Sequence, residues 1–311
     1  MKDKINCYGI GLGFIVFLAY FLIGCQNNQF REAADNSEVI GSDSILYLEV
    51  PNGKIAYRIF GKGEPLIMCM GYGANMDMWD TRFISQLAKF NQIIVFDYRG
   101  MGFSSNTDMN FRLETLAEDV KLLCDHLGTE RVNVLGWSMG GYVAQLFGLN
   151  YPDRINKLVL YATDAGGRSV INPEQEVMDI LSDSTSSDQQ MIGLLFPDHW
   201  FENHPESKEY FKQVYEPFNR FTIKLQDEAV NQWLSNDGGA SGNLYKLKVP
   251  ALIVSGDADQ VVLFENSEVL FDSIANSTLI KMKNGGHGLM FQYPNELAGY
   301  IDAFLNDKDS F

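Results

Sequence analysis

Val132-Asn133-Val134-Leu135-Gly136-Trp137-Ser138-Met139-Gly140-Gly141 decides how this chain is read. Two β-branched valines and a leucine over 132–135 form a short apolar run, suited to a parallel strand buried on both faces. Gly136 and Gly140 then frame a single serine in the pattern G-x-S-x-G, a sharp turn from strand into helix. A Cβ at either glycine would crowd the neighbouring chain. Gly140, Gly141 and Ala144 are small, so the helix can lie close against the sheet. Its N-terminal amides point at whatever Ser138 attacks, so one stretch predicts a fold element and a chemistry together.

Such a pentapeptide arises by chance in roughly one chain in ten of this length. A serine that merely caps a helix is the structural alternative. An alcohol is a poor nucleophile at neutral pH, so a catalytic serine needs a base within hydrogen-bond reach and an acid that orients the base. The chain has four histidines. His126 falls in an amphipathic helix over 114–127, whose apolar face is Leu116, Val120, Leu123 and Leu127, and reads as a solvated residue near the helix end. His199 and His204 lie in a loop-rich aromatic segment and read as surface residues. His287 stands in Asn284-Gly285-Gly286-His287-Gly288, just after the apolar run 278–282. Glycines on both sides let a loop carry its imidazole close to another side chain. Upstream, the strand-like Pro250-Ala251-Leu252-Ile253-Val254-Ser255-Gly256 runs into Asp257-Ala258-Asp259-Gln260, which offers two carboxylates. Ser138, the aspartates and His287 all follow predicted strands, and open α/β sheets form their sites at those strand ends.

With these pieces in hand, the chain resembles the α/β-hydrolase superfamily, in the lineage of single-domain esterases, lactonases and methylesterases with a helical cap. The resemblance spans about 45–305. It rests on Gly71-Tyr72-Gly73 with Trp79-Asp80 after it, Asp97-Tyr98-Arg99-Gly100-Met101-Gly102-Phe103-Ser104, the serine turn, Gly256-Asp257-Ala258-Asp259, and Gly285-Gly286-His287-Gly288. It implies an α/β fold, a mostly parallel eight-stranded sheet flanked by helices, with an inserted helical cap. It also implies the chain order nucleophile, acid, base, and hence Ser138, Asp259 and His287. Relatives that read G-x-x-D after this strand use the final aspartate. Asp257 is the alternative acid, and its other role is to tie the turn through backbone hydrogen bonds.

The same resemblance implies an oxyanion hole built from the backbone amides of Met139 and Tyr72. Many relatives carry a histidine before Gly71, where this chain has Met70, so a side chain that can brace that loop is missing. Asp97 and Arg99 belong to a D-x-R-G-x-G-x-S turn that pins neighbouring loops. The implied chemistry is cleavage of a carboxylic ester or lactone of a small to medium apolar compound, through an acyl-enzyme and without a cofactor. Carbon–carbon bond hydrolases and perhydrolases use the same triad. Haloalkane dehalogenases and epoxide hydrolases of this fold use an aspartate where this chain has Ser138. A non-catalytic lipoprotein that binds a ligand in the cap cleft is the rival from another class. It has no need of a complete Ser, Asp and His set.

Lys2 and Lys4 precede an apolar stretch from about Tyr8 to Gly24, and Leu22-Ile23-Gly24-Cys25 fits a bacterial lipobox. The reading is a lipoprotein signal peptide over 1–24, cut before Cys25, which then carries the lipid. Multiple acyl chains would hold the protein on a bilayer of the cell envelope. An uncleaved anchor is the alternative, but the run is short for a spanning helix and rich in glycine. Polar residues over 25–43 form a tether. Of the four cysteines, Cys69 and Cys124 sit among apolar neighbours and read as small core residues. A formal net charge of −16 disfavours nucleic acid and anionic membrane surfaces as electrostatic partners. The chain carries no Walker motif, dinucleotide fingerprint or Cys/His metal spacing.

Alternation over 45–50 and 54–60 about Pro51-Asn52-Gly53 predicts a hairpin. Apolar runs at 65–70, 92–97 and 157–161 predict further buried strands, and a helix lies near 80–89. Beyond Asp164 the composition shifts to Ser, Asp, Gln and aromatics. This divides the chain into a first core part, 44–164, a helical cap, 165–245, and a second core part, 246–311. Phe196, Trp200, Phe201, Phe218, Phe221 and Trp233 are candidates to line an apolar acyl pocket, although large aromatics more often serve packing.

Overall fold

The computed structural model describes residues 44–108, 111–182, 186–197, 200–206 and 219–307. The lipoprotein signal, Cys25 and the tether therefore lie outside the described residues, as do His199 and Phe218.

Asn52, at φ 65°, turns β1 (Leu46–Val50) back into β2 (Gly53–Phe60), with Val50 opposite Gly53. After β2 the chain enters β3 (Glu64–Cys69), helix α1 (Thr81–Leu87) and β4 (Asn91–Phe96). Asp80 starts α1 by accepting from the Arg82 and Phe83 amides, which satisfies donors that a helix start leaves orphaned. Then come β5 (Ser105–Asn106), α2 (Leu113–His126), β6 (Val132–Trp137), α3 (Met139–Asn150) and β7 (Ile155–Tyr161). Between β7 and the next strand lie α4 (Gln175–Ser182), α5 (Asp188–Gly193), α6 (Trp200–Asn203) and α7 (Arg220–Leu234). The chain closes with β8 (Ala251–Gly256), α8 (Phe264–Ser273), β9 (Ser277–Met282), α9 (Leu289–Gln292) and α10 (Pro294–Asn306).

The strands form one sheet in the order β1-β2-β4-β3-β6-β7-β8-β9, and the two-residue β5 pairs with β2 off this path. Pairing is antiparallel from β1 through β2 to β4 and parallel from β4 across to β9. This is the expected mostly parallel sheet, with β5 added, among the described residues, to eight strands on the main path. Helix α1 packs on α10, α2 packs on α3, and α8 lies against β8 and β9.

The middle strands explain their own sequences. Every residue of β6 and of β8 is buried, so both read as continuous apolar runs rather than alternating ones. Burying each Val, Leu or Ile side chain contributes about 1.5–3 kcal/mol. Cys69 and Cys124 are buried, and among the described residues neither forms a disulfide. Burial in this core pushes both thiols upward, Cys124 to about 12.

The serine turn needs both of its glycines. A Cβ on Gly136 would stand 2.2 Å from the Gly140 carbonyl oxygen, and one on Gly140 would stand 2.0 Å from that of Cys69. Those contacts are with backbone, which cannot swing away. They let α3 start directly against β3 and β6.

Candidate active site

The parallel register lines up the carboxyl ends of the strands. Cys69 of β3 pairs with Gly136 of β6, Trp137 with Tyr161 of β7, Tyr161 with Val254 of β8, and Gly256 with Met282 of β9. Ser138 follows β6 at once, and Tyr72, Asp259 and His287 follow β3, β8 and β9 within a few residues. Strand order alone thus gathers residues far apart in sequence along one edge.

Ser138 holds φ 54° and ψ −123°, a conformation that costs a non-glycine residue about 1–3 kcal/mol. Three contacts hold it there. Its amide donates to the Tyr161 carbonyl at 3.0 Å, its carbonyl accepts from the Gly141 amide at 2.8 Å, and the Thr163 hydroxyl donates to the same carbonyl at 2.8 Å. Met139 is the first residue of α3, where helix amides have no intrahelical acceptor. The 71–73 loop presses on this turn, since a Cβ on Gly71 would meet the Ser138 Cβ at 3.5 Å.

The two aspartates after β8 separate clearly. Asp259 is buried and its Oδ2 lies 2.9 Å from His287 Nδ1. Its Oδ1 accepts from the Val261 and Val262 amides, each at 2.9 Å, which fixes the carboxylate plane. Asp257 is exposed and accepts from the Asn284 amide at 2.6 Å, tying the turn to the histidine loop. With Nδ1–H donated to Asp259, the lone pair of His287 sits on Nε2, a tautomer assigned from the hydrogen bond.

Other residues hold the histidine loop, and sequence reasoning did not single them out. The His287 carbonyl accepts from the Trp137 indole Nε1 and from the Tyr161 hydroxyl, both at 3.1 Å. Tyr161 Oη in turn accepts from the Met290 amide at 3.1 Å. Trp137 stacks on Tyr161 and lies 5.6 Å, centroid to centroid, from the His287 ring. A Cβ on Gly286 would stand 2.7 Å from the Leu195 carbonyl oxygen, so the flanking glycine serves close packing against the segment after α5.

The loop that carries Tyr72 lacks the histidine brace of many relatives, and the structure shows what braces it. Tyr98 Oη donates to the Met70 carbonyl at 3.0 Å. From α7, Gln226 Oε1 accepts from the Gly73 amide at 2.8 Å, and Asp227 accepts from the Tyr72 hydroxyl. Burial pushes the Asp227 carboxyl up to about 7. Gln226 is fully buried and its Nε2 has no hydrogen-bond partner among the described residues, an arrangement that costs about 1–3 kcal/mol if left unmet. Asp97 accepts from the Met76 amide at 2.7 Å and the Phe103 amide at 2.8 Å, pinning both turns beside this loop. Arg99 reaches away, its Nε donating to Asp119 of α2 at 2.8 Å.

His126 is exposed at the end of α2, with Nε2 3.1 Å from the Tyr57 hydroxyl. His204 stacks on Trp200 at 3.9 Å between centroids. Of the aromatics expected to line a pocket, Phe196 and Trp233 are buried in packing contacts, Trp200 and Phe201 are half-buried, and Phe221 is exposed. Trp233 stacks on Tyr142 of α3, 4.7 Å away, and its Nε1 donates to Asp164 at 3.1 Å.

Comparison with known proteins identifies the fold family. The alpha/beta hydrolase fold family matches residues 64–294. The poly(3-hydroxyalkanoate) depolymerase of Ectopseudomonas oleovorans is 28% identical over 247 residues, 78% of this chain and 85% of its own. The 3-oxoadipate enol-lactonase 2 of Acinetobacter baylyi is 25% identical over 262 residues, 80% of this chain and 92% of its own. Among solved structures, a hydrolase from Pseudomonas aeruginosa PA01 superposes with a TM-score of 0.72 at 26% identity, covering 86% of this chain and 100% of that one. The chain belongs to the alpha/beta hydrolase fold family and is an enzyme, a hydrolase.

Proposed function

We propose that this hydrolase cleaves a carboxylic ester or lactone through an acyl-enzyme formed on Ser138. The observation that carries this reading is the buried Asp259–His287 pair, whose loop is tied by Trp137 to the turn that holds Ser138 at positive φ. His287 Nε2 takes the Ser138 proton as the hydroxyl attacks the carbonyl carbon, and Asp259 orients the imidazolium that forms. The Met139 and Tyr72 amides stabilise the oxyanion. Collapse of the tetrahedral adduct expels the alcohol, which leaves with the proton from His287. Water then repeats the sequence and frees the acid. The similarity to the Acinetobacter enol-lactonase supports the same bond class. Cys25 carries a lipid that anchors the mature chain to a membrane of the cell envelope, a reading supported by the lipobox sequence.

The activity is tested by labelling the purified protein with a fluorophosphonate and mapping the modified peptide. The expected result is modification at Ser138, lost in His287→Ala, together with turnover in an ester and lactone panel. A well-folded protein that takes no label overturns the reading. Metabolic labelling with a radioactive fatty acid checks the anchor: incorporation should vanish in Cys25→Ser.

A further inference from the structure

One helix touches both elements that would supply the oxyanion donors. On α7, Thr222, Gln226 and Trp233 share a buried face, spaced by four and then seven residues. Thr222 packs on the Gly100 turn, where a Cβ would stand 2.4 Å from its hydroxyl. Gln226 holds the Gly73 amide, and its neighbour Asp227 holds the Tyr72 hydroxyl. Trp233 meets α3, the helix that begins at Met139, by stacking on Tyr142 and by sharing Asp164 with it; Asp164 accepts from Trp233 Nε1 at 3.1 Å and from Tyr142 Oη at 2.6 Å.

We propose that α7 sets the spacing of the two oxyanion amides, with Gln226 and Asp227 as positioning residues for the loop that carries Tyr72. The proposal rests on the reading of Ser138 as nucleophile and of the Tyr72 and Met139 amides as oxyanion donors. Gly73 holds φ 68° in that loop, a conformation that glycine adopts without strain. Its amide donates to Gln226, so the helix fixes the peptide plane adjoining Tyr72. Consecutive helix residues point about 100° apart, so Gln226 and Asp227 grip the loop at two points and restrain both shift and rotation. Gln226 keeps this contact although its own Nε2 has no partner among the described residues, as expected of a side chain retained for what it holds. A displacement of α7 carries the Tyr72 donor with it, so cap position and oxyanion stabilisation are coupled.

The test compares full-length wild type with Gln226→Met, which keeps length and burial and removes the acceptor. Two readouts are taken: hydrogen exchange of the 71–75 peptide, and kcat and KM on a p-nitrophenyl ester. Exchange in that peptide is expected to rise at least ~10-fold, and kcat to fall ~10- to 100-fold with KM within about threefold, since only transition-state stabilisation is lost. Tyr72→Phe keeps the backbone amide but loses the hydroxyl that Asp227 holds, and should lower kcat in the same way. Unchanged exchange in Gln226→Met overturns the proposal. So does faster exchange with unchanged kcat. A wild type that neither turns over the ester nor takes a fluorophosphonate overturns the reading of Ser138, and the positioning role with it; a fast-exchanging loop in Gln226→Met would then report a purely structural brace.

Discussion

Trp137 and His287 are joined by a hydrogen bond of 3.1 Å from the indole Nε1 of one to the backbone carbonyl of the other, across 150 residues of sequence. The residue before the candidate nucleophile thus holds the loop of the candidate base. Its ring also stacks on Tyr161, whose hydroxyl donates to the same carbonyl. The serine turn and the histidine loop are built as one unit.

Trp137→Phe tests that unit. The ring keeps most of its packing but loses the donor. Stability should fall by about 0.5–1.5 kcal/mol, the net worth of a buried hydrogen bond. The rate of fluorophosphonate labelling at Ser138 should fall ~3- to 10-fold, because a small misplacement of a general base is costly. Urea denaturation and labelling kinetics read the two effects separately.

The two aspartates after β8 should behave very differently. Asp259→Asn leaves His287 in the wrong tautomer and should lower kcat on the order of 10³- to 10⁴-fold. Asp257→Asn keeps an acceptor for the Asn284 amide and should cost less than about threefold, consistent with an exposed residue that ties a turn. Steady-state kinetics on one ester substrate compares them directly, and a reversal of the order would move the acid to Asp257.

Gly140→Ala should fail on folding rather than on chemistry. The new methyl would lie 2.0 Å from the Cys69 carbonyl oxygen and 2.7 Å from that of Met70, so α3 must back away from β3. We expect a loss of more than ~3 kcal/mol, above the usual range for overpacking because the obstacle is backbone. A lowered urea midpoint or an insoluble product is the expected readout. Gly242→Ala, where a Cβ meets nothing within 4 Å, serves as the control.

Stability should decline as pH rises from 5 to 8. Burial pushes the Asp97 and Asp227 carboxyls up to about 7 and Asp302 to about 6. A carboxyl raised on folding binds its proton more tightly in the folded chain. Its contribution is full below the unfolded value near ~4 and is lost as pH climbs through 6 to 7. The melting temperature should therefore be higher at pH 5 than at pH 8, by on the order of several degrees. Asp302→Asn keeps an acceptor for the Asn91 side chain, which donates to Asp302 at 2.7 Å, and should narrow that gap.

Much of this protein was legible in its sequence because the signals are short-range. A buried strand followed by G-x-S-x-G demands a tight turn, and the contacts at Gly136 and Gly140 show the steric reason. Apolar runs and turn residues likewise marked the hairpin, the parallel strands, and α1 and α2 to within a few residues. The choice of Asp259 over Asp257 was not legible from the residues. Both follow one strand two positions apart, and only the resemblance favoured the second. The structure distinguishes them through burial and through the 2.9 Å contact with His287.

What the sequence by itself determined is the set of strands, the serine turn and the order of the polar residues that follow strand ends, because each depends on neighbours within a few positions. What only the tertiary structure decided is which distant groups hold those residues in place. Trp137 and Tyr161 reach the His287 carbonyl, Gln226 reaches the Gly73 amide across 153 residues, and Asp227 reaches the Tyr72 hydroxyl across 155. None of these partners carries a local pattern. Their meeting depends on the order in which strands pair and on where α7 docks, and burial then makes each hydrogen bond obligatory.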